Sequence, residues 1–71
     1  MLREKLLRLP DVMCQTGLRR AAIYARIREG TFPSPVKIGT RAVAWPESVV
    51  QGWIADRVAD GRKREYEAIN E

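Results

Sequence analysis

Apolar positions change their spacing along the chain, and each change predicts a new element. Lys5-Leu6-Leu7-Arg8-Leu9 is a short apolar stretch that reads as a strand or an extended lead-in. Pro10 presets φ for a first helical turn, so a helix is expected over Pro10 to Thr16. Asp11 then sits near its positive end, and Val12, Met13 and Thr16 form the inner face. Gly17 can adopt the left-handed conformation that closes a helix, and Leu18 anchors the turn. A second helix fits Arg19 to Glu29, where Ile23 and Ile27 make an i, i+4 stripe and Gly30 supplies the stop. Counting at about 100° per residue places Ala21, Ala25 and Arg28 opposite that stripe. Arg20 and Tyr24 lie on one flank and Ala22 on the other.

Thr31-Phe32-Pro33-Ser34-Pro35 cannot continue a helix, because its two prolines break the ladder. Val36-Lys37-Ile38 and Ala42-Val43-Ala44-Trp45 then flank Gly39-Thr40-Arg41, which reads as a β-hairpin. Alternation sets Val36 and Ile38 on one face, turns Lys37 to the other, and pairs Val43 with Trp45. A third helix is expected from Pro46 to about Asp60, with Gly61 as its stop. Its core-facing stripe would be Val49, Val50, Trp53, Ile54, Arg57 and Val58. The expected organisation is one domain over residues 1–60, then a charged tail or helix extension over 61–71 containing Tyr66 and Ile69.

Short helix, glycine turn, helix, hairpin, helix is a mainly α order with a small β-hairpin. Val12, Gly17, Leu18 and Ile23 have the spacing of a helix-turn-helix, in which glycine permits the tight turn and the apolar residues fill the wedge. Such packing leaves the second helix protruding, with its far face free to enter a major groove.

Composition narrows the chemistry. A chain of 71 residues has room for one modest core, worth roughly 3–5 kcal/mol. It has one cysteine, Cys14, and no histidine, which excludes an intrachain disulfide and a zinc site and is expected for the reducing cytoplasm. Cys14 reads as a small buried thiol. No nucleophile–base pair or two-carboxylate site can be assembled, so neither an enzyme nor a bound metal or cofactor is expected. No apolar run reaches membrane-spanning length, and charges at Arg3, Glu4 and Lys5 occupy the place of a signal peptide's apolar core.

Charge adds a partner. Residues 1–45 carry nine basic and three acidic side chains, a net +6, whereas residues 46–71 carry a net −2. Such an imbalance favours a polyanion, here double-stranded DNA. Arg19, Arg20, Arg26 and Arg28 crowd the second helix, and arginine's planar donor fork matches guanine and phosphate. Arg20, Tyr24 and Arg28 are the candidates for base-edge contacts, with Ala21 in apolar contact, although Tyr24 could equally pack partly in the core. Arg19, Arg26, Lys37 and Arg41 are the phosphate candidates, although Arg26 could equally pair with Glu29. Phe32, Trp45 and Trp53 read as core, which disfavours base stacking on single strands.

The sequence also resembles the AlpA-type prophage regulators. The resemblance is carried by Arg8-Leu9-Pro10-Asp11-Val12, Thr16-Gly17-Leu18, Ile23-Tyr24, Ile27 and Gly30. It continues through Phe32-Pro33-Ser34-Pro35-Val36-Lys37-Ile38-Gly39, Arg41-Ala42-Val43-Ala44-Trp45, Val50 and Trp53-Ile54. It implies a MerR-like winged helix-turn-helix that regulates transcription, and excisionase-type recombination factors share that architecture. One departure stands out. The family has serine or threonine where the second helix starts, and this chain has Arg19-Arg20-Ala21-Ala22, of which only Arg20 carries over. The lost hydroxyls remove an N-cap and a phosphate hydrogen bond. The rival reading is a protein-binding adaptor or antagonist of a recombinase or polymerase subunit. A homodimer or cooperative assembly on DNA would use the third helix and residues 62–71.

Overall fold

The computed structural model describes the backbone of residues 4–69 and the side chains of residues 4–64. In chain order it forms strand β1 (Leu6–Leu7), helices α1 (Leu9–Thr16) and α2 (Arg20–Glu29), strands β2 (Val36–Lys37) and β3 (Val43–Pro46), and helix α3 (Glu47–Ile69). The expected helices and hairpin are present, within one residue at most ends.

Helix α1 starts where the Asp11 carboxylate accepts the Arg8 backbone N–H at 3.4 Å. It stops at Gly17, whose φ of 75° lies in the left-handed region and whose N–H reaches the Met13 carbonyl at 2.8 Å. Thr16 tightens this corner, since its hydroxyl donates to the Val12 carbonyl and accepts from the Leu18 N–H. Leu18 is thereby set against the core. Helix α2 closes at Gly30 (φ 79°), with Gly30 N–H bonded to Ile27 and Thr31 N–H to Arg26, the paired bonds of a Schellman motif.

The segment after Gly30 is fixed by two indoles. Trp45 Nε1–H donates to the Pro33 carbonyl at 2.9 Å, and Trp53 Nε1–H donates to the Thr31 carbonyl at 2.7 Å. Phe32 lies between these bonds, buried, with its ring edge-on to Trp53 at 4.8 Å. The core comprises Leu7, Val12, Ile23, Phe32, Trp45 and Val50, and Leu9, Met13, Leu18, Ile27, Val43, Trp53 and Ile54 pack around it.

The hairpin is part of a larger sheet. Strand β1 pairs antiparallel with β3 (Leu6 with Pro46, Leu7 with Trp45), giving the strand order β1-β3-β2. Strand β2 pairs with β3 through Val36–Ala44 and Lys37–Val43. Paired residues share a face of the sheet, so Leu7, Val43 and Trp45 turn to the core, with Lys37 at the exposed end of that face. Leu6, Val36 and Ile38 lie exposed on the other face, which also holds the buried Ala44. Helix α3 follows β3 without a loop. Pro46 ends the strand rather than starting the helix, because Glu47 N–H already bonds the Lys5 carbonyl at 2.8 Å. Glu4 then caps the first turn, taking both the N–H and the hydroxyl of Ser48.

Three expectations are corrected. Helix α3 runs through Gly61 to Ile69 instead of stopping near Asp60. Arg64 and Asp60 bridge the glycine with an i,i+4 ion pair at 3.2 Å. Of the expected stripe on α3, Val50, Trp53 and Ile54 meet the core, but Val49, Arg57 and Val58 are exposed. The helix meets the body on one side only, and over 55–64 its side chains are exposed apart from the partly covered Asp60. Cys14 is exposed rather than buried, because it stands two residues, more than half a turn, from the inward Val12. The expected contact through Tyr66 and Ile69 lies outside the described side chains.

Candidate nucleic-acid interface

The face of α2 away from the core is built from short or charged side chains. Ile23 is fully buried and Ile27 packs beside it, which fixes the rotation of the helix. Ala21 and Arg28 consequently point outward and are exposed. Arg20, exposed at the first helical position, stacks its guanidinium over the half-buried Tyr24 ring at 5.5 Å. This holds the two side chains as one unit one turn apart. Four of the sequence-derived candidates (Arg20, Ala21, Tyr24 and Arg28) therefore occupy one side and flank of α2.

The start of α2 is electrostatically unusual. Arg19 occupies the cap position with extended backbone (φ −87°, ψ 163°) and makes no side-chain cap bond, and the first turn has no acidic residue. The first backbone bond of the helix is Ile23 N–H to Arg19 C=O at 3.0 Å. The amides of Arg20, Ala21 and Ala22 thus stand ahead of the ladder, beside two arginines at the positive end of the helix dipole. Arg26 and Arg28 occupy the last turn, where positive charge suits the dipole.

The hairpin presents Lys37 on β2 and Arg41 at its tip, both exposed. Ile38 N–H bonds the Ala42 carbonyl at 2.9 Å, which closes Gly39-Thr40-Arg41 into a three-residue turn. Arg26 behaves differently from the other candidates. It stands on the flank away from Arg20 and lies over the Trp53 ring at 6.0 Å, half-buried, and it forms no ion pair with Glu29. Arg57, which the sequence pattern put in the core, meets the same ring at 5.8 Å with its side chain exposed. Its i+4 spacing from Trp53 was the available signal, read as burial when it was stacking.

A model of the prophage CP4-57 regulatory protein (AlpA) family matches residues 5–58. The chain belongs to the AlpA family. A relative from Escherichia coli (strain K12), the DNA-binding transcriptional activator AlpA, is 34% identical over 59 residues, 75% of this chain and 84% of its own. The uncharacterized protein ORF88 of Enterobacteria phage P4 is 51% identical over 65 residues, 92% of this chain and 73% of its own. No solved structure matches. The AlpA-family match begins at the residue before β1 and ends at Val58, shortly after α3 leaves the core. The indole hydrogen bonds tie the resembling tryptophan positions to this segment, Trp45 to Pro33 within Phe-Pro-x-Pro and Trp53 to Thr31 just before it. Among the described residues no group of acidic, cysteine or histidine side chains could hold a metal ion. No described helix is long and apolar enough to cross a membrane.

Proposed function

We propose that this chain regulates transcription by binding double-stranded DNA as a MerR-like winged helix-turn-helix. Helix α2 enters the major groove and the β2–β3 hairpin serves as the wing. The observation that carries this reading is the exposed face of α2, where a stacked Arg20–Tyr24 pair, Ala21 and Arg28 surround a helix start that has no cap of its own. Family membership and the name of the Escherichia coli relative support it.

Arg20, Tyr24 and Arg28 read base edges, and Ala21 lets the helix approach closely enough to touch a thymine methyl. Arg19, Lys37 and Arg41 hold phosphates. A phosphate at the start of α2 would satisfy its leading amides and neutralise the two arginines there.

The test selects bound duplexes from a random pool and titrates the winner and a scrambled duplex with wild type and with Arg20→Ala. A sequence that binds far tighter than the scramble and loses about 1–3 kcal/mol on the substitution is the expected result. Equal binding to every duplex, abolished by salt, overturns it and favours a protein partner.

A further inference from the structure

Arg26 and Arg57 come from different helices yet converge on one aromatic ring. Their guanidinium carbons lie 6.0 and 5.8 Å from the centroid of Trp53. The ring is itself held at two points, by its Nε1–H bond to the Thr31 carbonyl and by its edge contact with Phe32. No carboxylate is within ion-pairing distance of either arginine among the described residues. Asp60, three residues beyond Arg57 on α3, is engaged by Arg64. Two guanidinium groups held at one ring without a counter-ion leave a local positive potential, and the ring alone does not neutralise it. An anion would.

We infer that Arg26, Trp53 and Arg57 form a clamp for the sugar-phosphate backbone of duplex DNA, beside the groove-facing side of α2. The inference rests on the DNA-binding reading above and extends the contact surface to α3. A guanidinium held over an aromatic ring makes no hydrogen bond to it and keeps N–H donors to offer, and phosphate accepts such a fork in two parallel bonds. Stacking also immobilises the side chains before binding, which reduces the ordering cost at the moment of contact. Arg26 stands on the flank of α2 opposite Arg20 and Tyr24. A phosphate held there belongs to the backbone on the far side of the inserted helix, and the clamp sets its rotation in the groove.

The test titrates a selected and a scrambled duplex across a salt series with wild type, Arg26→Met, Arg57→Met and Arg57→Lys, alongside thermal unfolding. Methionine keeps an apolar stem on the ring, and lysine keeps the charge. Each methionine variant is expected to weaken both duplexes by a similar factor, roughly three- to tenfold. Each should also lower the salt slope by about 0.9, the value of one phosphate contact. Arg57→Lys is expected to retain the slope. Retention of the wild-type slope by Arg57→Met overturns the clamp, and is the outcome expected if the pair meets an acidic protein surface instead. An equal drop of the salt slope in Arg57→Met and Arg57→Lys also overturns it, because the slope then does not follow the charge at this position. A loss confined to the selected duplex would mean base reading and likewise sinks it. Absence of any duplex affinity in wild type removes the clamp together with the DNA-binding reading, which separates that failure from the others.

Discussion

Single side chains with one polar atom decide how residues 31–35 run. Pro33 and Pro35 supply no N–H, so this segment forms no regular ladder, and its Thr31 and Pro33 carbonyls accept from side chains instead. Tryptophan suits the task because it brings a large apolar body with a donor and no acceptor. Trp45 is fully buried and its Nε1–H donates to Pro33. Trp45→Phe should therefore leave that carbonyl without its donor and open a small void. The expected cost is about 1–3 kcal/mol. Urea unfolding should show it as a lower midpoint at unchanged slope, and an unchanged midpoint would mean that water replaces the indole. Burial of Phe32 and Trp45 was legible in the sequence. The partners of the indoles were not, since periodicity says which side faces in and nothing about what a ring nitrogen meets there. Arg57 shows the same limit. A side chain at a core-facing spacing can set its guanidinium over an aromatic ring and still stay exposed.

Helix α2 carries a conflict between folding and the proposed binding. Its cap position holds Arg19 where serine, threonine, asparagine or aspartate would bond the leading amides. Arg19→Ser should raise the stability of the free protein by about 0.5–2 kcal/mol. For a domain of this size, each 1 kcal/mol moves the melting temperature by roughly 4–8 °C. The same substitution removes a phosphate candidate, so affinity for any duplex should fall as stability rises. Calorimetry with a parallel titration checks both halves. A variant that is no more stable would mean the amides are already satisfied by water. The start and stop of this helix were legible because Gly30 and the Ile23–Ile27 stripe are local signals. Strand β1 was less so. Two residues carry too little pattern to reveal that Leu6 and Leu7 pair with Pro46 and Trp45 near the other end of the fold. Gly61 misled for the opposite reason, because a glycine's cost of about 1 kcal/mol is small beside the favourable residues around it.

Helix α3 gives the molecule its elongated outline, 52 × 32 × 20 Å, and divides it into a supported and an unsupported part. Its first two turns are tied to the body by Glu4, by Val50 in the core, and by Gln15, which bonds both Glu47 and Gln51. From Ala55 to Arg64 every side chain is exposed except Asp60, which is only partly covered. A single helix in water gains little from propensity alone, and most helical stability in proteins comes from packing. Residues 61–71 should therefore contribute little to the folding of residues 1–60, the boundary that composition also favours. Removing them should change the unfolding free energy by less than about 1 kcal/mol, in the range of surface changes. If a second copy covers the projecting helix, the full chain should melt higher as its concentration rises, by mass action. The shortened chain would lose that dependence along with several kcal/mol. Thermal scans of both chains over a wide concentration range separate these cases. Among the described residues the contacts holding α3 are made before Val58, apart from the Asp60–Arg64 pair on its own surface, and this favours the first case.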